Sequence, residues 1–186
     1  MLFSVLIILV VFVNGGWMRV NIGSNNPGAT LLRELQAAQL KQRAAQMLEA
    51  EREKQEVHLQ SVDKLEENGE VLIEGIIRGR VDIDLKCQGG SNCIPLHISV
   101  RPSEQAFVYN AMYMNGVYDV EERRLFFLGK DSFMKVSVVN LATHFEILIN
   151  DHHYKRFDHR MSPDLVKQIH IRGCLDLKLV EVFRAN

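Results

Sequence analysis

From residue 71 to the end of the chain, one pattern keeps returning: apolar and polar side chains take alternate positions. Leu96, Ile98 and Val100 alternate with His97, Ser99 and Arg101. Side chains on an extended strand change faces at every residue, so such a segment has one apolar face and one face carrying an imidazole, a hydroxyl and a guanidinium. Phe107, Tyr109 and Ala111 alternate in the same way with Val108 and Asn110, and residues 118–125 read as a third neighbouring strand with Glu121 and Arg123 on one face. Residues 71–77 and 81–86 read as two strands flanking a turn at Arg78-Gly79, with Asp82, Asp84 and Lys86 opposite Val81, Ile83 and Leu85. Met134, Val136 and Val138, then Phe145, Ile147 and Ile149, continue the alternation, and Asn150-Asp151 reads as a turn before residues 152–157. Ser162 and Pro163 are a cap and first turn for a very short helix, and strands at 169–172 and 175–183 close the chain. Strands recurring about every 8–12 residues between turn signals predict an all-β fold: a sandwich of two antiparallel sheets, each burying one face.

Composition fits a domain with a core, since 47% of the 186 residues are hydrophobic and 24% charged. A formal net charge of −1 gives no electrostatic footing for nucleic acid or an anionic membrane. Residues 1–13 form an almost unbroken apolar run followed by Asn14-Gly15-Gly16. That is too short for a span of about 20 residues, and the small residues at its end suit signal peptidase. The expectation is a signal peptide at 1–16, a mature chain starting near Gly16 or Trp17, and a secreted, extracellular protein with no membrane insertion after cleavage; the alternative is a short hydrophobic anchor.

Residues 17–29 read as a linker around Gly23-Ser24-Asn25-Asn26-Pro27-Gly28. Residues 30–57 hold strong helix formers without Pro or Gly, with Thr30 as the expected cap. Leu32, Gln36, Leu40, Ala44, Met47 and Leu48 fall on one side, a thin stripe that no heptad register sustains. This reads as a single long helix forming a solvated stalk; the alternative is a weak coiled coil joining copies into a homo-oligomer, which would raise avidity by clustering weak sites. The sandwich then occupies residues 58–186.

The polar face of the three central strands mixes donors, acceptors and one aromatic ring. Sugars need such a face: hydroxyls take both kinds of partner, and the C–H side of a pyranose takes a flat apolar platform. The order of residues sharpens this. His97-x-Ser99-x-Arg101, Val108-x-Asn110 and Tyr118-x-x-Glu121-x-Arg123 resemble the galectin signature H-x-N-x-R, V-x-N and W-x-x-E-x-R, with Ser for Asn and Tyr for Trp. Segments 145–151, 157–160 and 169–173 resemble galectin segments as well. The resemblance implies a jelly-roll sandwich with galactose-containing glycans lying across its concave sheet, bound without metal or other cofactor. By the same resemblance His97, Ser99 and Arg101 would meet the axial C4 hydroxyl, and Asn110, Glu121 and Arg123 the C6 hydroxyl and the second sugar. Tyr118 would supply the stacking platform. The alternative is a galectin-related module that has lost sugar binding and uses the helix or sheet face for protein partners.

Cys87 and Cys93 flank a turn-rich segment that a disulfide closes in an oxidising compartment; three free thiols is the other reading. His152, His153 and His159 lie close in sequence without a metal-ligand spacing, so surface histidines are expected and no metal. A glycosidase would need two facing carboxylates, one with a raised pKa; Glu121, Glu122 and the Asp82/Asp84 pair are the candidates, and Glu121 beside Arg101 and Arg123 should move the other way. No nucleophile elbow, P-loop or dinucleotide fingerprint occurs, and the chain reads as a binding protein rather than an enzyme.

Overall fold

The computed structural model describes residues 7–13, 16–22, 27–53, 56–88, 92–129 and 131–185. It divides into two compact units, residues 1–47 and 48–186.

In the first unit, β1 (Ile7–Val13) pairs antiparallel with β2 (Gly16–Ile22). The hairpin takes in residues expected to be leader and linker; residues 1–6 and 14–15 of that leader lie outside the described residues. Helix α1 spans Pro27–Glu53. It starts three residues before Thr30, so Thr30 lies within the helix and does not cap it, and Pro27 occupies the first turn, where its missing N–H costs nothing. Every side chain from 34 to 47 is exposed, Leu35, Leu40 and Met47 included. Among the described residues no helix is long and apolar enough to cross a membrane.

The second unit holds the sandwich. Its strands are β3 (Glu56–Ser61), β4 (Glu70–Lys86), β5 (Ile94–Arg101), β6 (Ala106–Met112), β7 (Glu122–Leu125), β8 (Phe133–Asn140), β9 (His144–Ile149), β10 (His152–Asp158) and β11 (Gln168–Phe183). Two of them correct the sequence reading. Residues 71–77 and 81–86 belong to one 17-residue strand, β4, which runs straight through Arg78-Gly79; residues 169–172 and 175–183 belong to one 16-residue strand, β11. These long strands serve both layers. The C-terminal half of β4 pairs with β5 and the N-terminal half of β11; its N-terminal half pairs with β8 and the C-terminal half of β11. One antiparallel layer thus runs β7-β6-β5-β4-β11-β3 and the other β10-β9-β8-β4-β11.

Between them lies a single apolar cluster built from the alternating residues of both: Ile83, Ile98, Phe107 and Tyr109 from one layer, Ile73, Val136, Phe145 and Ile147 from the other. Where β11 passes from layer to layer its register slips between Gly173 and Leu175. Gly173 takes φ +104 there, and a Cβ would collide with the Arg80 carbonyl oxygen. The expected Asn150-Asp151 turn joins β9 to β10 with both residues at positive φ (51° and 66°), the twist-matched hairpin geometry. Ser162 caps a 3-10 turn at Pro163–Leu165, its Oγ accepting from the Asp164 N–H at 3.3 Å.

Candidate functional site

The outer face of the β5 layer is assembled by strand register. Across β4 and β5, Asp82 sits opposite Ser99 and Asp84 opposite His97; across β5 and β6, His97 sits opposite Asn110 and Ser99 opposite Val108; across β6 and β7, Val108 sits opposite Arg123. On the other flank Arg172 and His170 of β11 stand opposite Asp82 and Asp84. Cross-strand neighbours share a face, so the polar residues of β4, β5, β6, β7 and β11 meet on one surface.

An open cleft of about 450 Å³ lies on that surface, lined by Arg80, Asp82, His97, Arg101, Asn110, Tyr118, Asp119, Glu121 and Arg172. Five of the seven residues expected from the sequence are among them. Of the other two, Ser99 is wholly buried, its Oγ donating to Asp82 at 2.5 Å and accepting from Arg101 Nε at 3.0 Å. Arg123 reaches the cleft through Glu121, whose two oxygens take Arg101 (3.1 Å) and Arg123 (2.7 Å). Glu104 closes the chain of charges at 2.9 Å from Arg123 and 3.5 Å from Arg101. The hydrogen bond from Arg123, ahead of the charge of Arg101, holds the Glu121 carboxyl below the usual carboxylate range.

His97 is nearly buried, and its Nδ1 lies 2.6 Å from Asp84 Oδ1. Burial alone would raise the Asp84 carboxyl, yet the hydrogen bond and charge of His97, then the charge of Arg172, outweigh it and bring it below the ordinary value. An ionised carboxylate only accepts, so Nδ1 carries the proton, and a neutral His97 has its lone pair on Nε2. Arg172 occupies the second Asp84 oxygen at 2.9 Å. Tyr118 completes the wall: the residue is 46% exposed, and its ring lies 5.5 Å from the His97 ring, tilted by 60°. Burial, then the Asp84 charge, push its phenol up, so it stays neutral.

Residues 118–125 are not one strand as expected. Only Glu122–Leu125 pairs as β7, while Tyr118 makes a single bridge to Met112. The sequence reading also missed Arg80, Arg172, Asp119 and Arg160 and treated Asp82 and Asp84 only as hydrolytic acids. For Asp82, Asp84 and Arg172 the signal was present in the alternation of 81–86 and 169–172, but it points to this surface only once β4 and β11 are known to flank β5. Glu122, like Asp84 and Glu121, is held low: Lys155 and Arg160 overcome the effect of burial. These carboxylates are stabilised as anions, the opposite of what a glycosidase acid requires. His153 and His144 both lean on Glu146, and among the described residues no group of three His, Cys, Asp or Glu could hold a metal ion. Cys87 and Cys93 are joined by a disulfide with Cα atoms 5.4 Å apart, and Cys174, half-buried, is not disulfide-bonded.

A sequence profile of the galactoside-binding lectin family matches residues 56–182, from β3 nearly to the end of β11. The chain belongs to this family. Galactoside-binding lectins are binding proteins, not enzymes. Galectin-4 of Bos taurus is 33% identical over 97 residues, covering 50% of this chain and 29% of that one. A 32 kDa beta-galactoside-binding lectin of Haemonchus contortus is 32% identical over 89 residues, covering 48% and 31%. The chain thus spans about a third of the length of these relatives. Sheep galectin-11 shares the fold with a TM-score of 0.63 at 20% identity, over 68% of this chain and 96% of that one. Caenorhabditis elegans galectin LEC-6 does so with a TM-score of 0.63 at 20% identity, over 68% and 90%.

Proposed function

We propose that this galectin-family lectin reads galactose-containing glycans in the cleft beside Tyr118. The observation that carries the reading is the meeting of His97, Arg101 and Glu121 with the exposed Tyr118 ring in one open cleft. His97 Nε2 accepts from a sugar hydroxyl, and the Arg101 guanidinium donates to its oxygen; an axial C4 hydroxyl suits that pair. Glu121 keeps Arg101 and Arg123 aimed and accepts from further hydroxyls. The apolar face of the pyranose packs on Tyr118. Ser99 serves through Arg101, since its own hydroxyl is already engaged. Hydrogen bonds and this stacking contact make up the recognition, which calls on no metal or cofactor.

A second reading, a galectin-related protein-interaction module without sugar binding, is favoured by one fact: the Ser99 hydroxyl and the Asn110 oxygen are both committed inside the protein. Retention on a galactose-bearing resin separates the two. The lectin reading expects elution by free lactose but not by sucrose, and loss of retention in Arg101→Ala; flow-through of the wild type, or retention indifferent to Arg101, supports the module.

We also propose secretion, supported by the apolar run at 1–13 and by the Cys87–Cys93 disulfide, which suits an oxidising compartment. N-terminal sequencing that returned Met1 from secreted protein would refute the cleavage. Helix α1 acts in this scheme as a solvated stalk, with the exposure of residues 34–47 in its favour. Sedimentation as a monomer agrees with that, and a concentration-dependent oligomer would support the coiled coil instead.

A further inference from the structure

We infer that Asn110 and Arg160 act as a pin for the segment that carries Tyr118 and Glu121, so that Asn110 serves the ligand through those residues and not by touching it. For its effect on affinity this rests on the lectin reading above; the pin itself does not.

The β6–β7 ladder ends at Tyr109 opposite Glu122, and the next pairing, Met112 with Tyr118, is one residue out of register. Asp119, Val120 and Glu121 therefore oppose only Asn110 and Ala111, a bulge of the kind that re-aims side chains beside binding sites. The carbonyls of Asp119 and Val120 are satisfied by side chains. Asn110 Nδ2 donates to the first at 2.7 Å, and Arg160 Nη1 donates to the second at 2.7 Å. Arg160 also donates to Asn110 Oδ1 at 3.0 Å and to Glu122 Oε1 at 2.7 Å, with its guanidinium 4.8 Å above the Phe157 ring. A planar fork with five donors can serve these acceptors together; an ammonium cannot.

Asn110 has little left to offer a sugar. Its Oδ1 already accepts from the Ala111 N–H at 2.8 Å as well as from Arg160. One amide N–H remains, on a residue only 2% exposed. What the pair controls is where the bulge sets the Tyr118 ring and the Glu121 carboxylate.

The test uses methyl β-galactoside and its 6-deoxy counterpart with wild type, Asn110→Ala, Arg160→Lys and the double variant. A pin predicts that each single change weakens binding of both sugars by the same factor, about tenfold for the loss of a part-buried charge-assisted bond, and that the double variant is no worse than the weaker single. A loss in Asn110→Ala confined to the sugar with its 6-hydroxyl overturns the inference, because Asn110 then touches that group. Without any ligand, amide hydrogen exchange of residues 118–121 should quicken in both single variants while the β4–β5 ladder keeps its protection, which also reports an intact fold. Unchanged exchange at 118–121 overturns the pin. Wild type that binds neither sugar overturns the lectin reading, and the exchange result then decides the pin alone.

Discussion

Replacing Asp84 by Asn should expose how much of this binding surface is held up from inside. Asp84 is 1% exposed and accepts from His97 Nδ1 at 2.6 Å and from Arg172 at 2.9 Å. Asn keeps the volume and one acceptor oxygen. Its amide nitrogen then faces a guanidinium or an imidazole N–H, donor against donor, and the Arg172 guanidinium loses its counter-charge. Breaking a buried pair by removing one partner costs 3–5 kcal/mol; with one hydrogen bond retained, about 3 kcal/mol is expected. For a urea slope of about 2 kcal/mol/M, the midpoint falls by about 1.5 M at neutral pH. The pH dependence follows from the direction of the shift. The folded Asp84 carboxyl lies below its ordinary value near 3.8, so its contribution is fully present above that value and is lost as the pH falls through the lower folded one. The gap between wild type and variant should therefore narrow as the pH falls below about 3.8 and close once it passes the lower folded value, where Asp84 is uncharged as Asn always is. Equal urea midpoints at neutral pH, or a gap that widens in acid, would refute the reasoning.

Other outcomes are equally concrete. Tyr118→Ala should weaken galactoside binding by about fivefold through loss of roughly 1 kcal/mol of stacking, read by titration calorimetry, and Tyr118→Trp should strengthen it. The Tyr109 hydroxyl is buried with no hydrogen-bond partner among the described residues, so Tyr109→Phe should raise the urea midpoint, by about 1 kcal/mol in stability, where an ordinary aromatic deletion lowers it. Gly173→Ala forces a Cβ onto the Arg80 carbonyl at φ +104 and should cost roughly 3 kcal/mol or prevent folding, seen as a large drop in thermal midpoint.

The sandwich was largely legible because half of each strand's side chains must enter a core, and alternation reports that requirement directly. Leu96, Ile98 and Val100, and Phe107, Tyr109 and Ala111, are all buried as the pattern demands. Strand ends were harder. Gly79 reads as a turn by composition, yet Val71, Ile73, Ile77, Val81, Ile83 and Leu85 keep one parity across it, and that unbroken phase marks a single strand. In β11 the phase does change, between Leu177 and Leu179, where the register slips a second time. His97, Arg101, Glu121 and Arg123 could be grouped on one face from local spacing. Asp84, Arg172 and Arg160 could not, because each acquires its place from a partner 13 to 88 positions away that only the assembled sheet supplies. Asn110 and Ser99 were placed on the right strands, but sequence spacing says nothing of whether an amide or hydroxyl is already occupied.

The location of the site is tested most directly by amide chemical-shift mapping during a lactose titration of the folded protein. The account predicts saturable shifts at 97–101 and 118–123, with the β8–β9 layer silent. Shifts gathered on the β8–β9 layer, or none at saturating sugar, would contradict it.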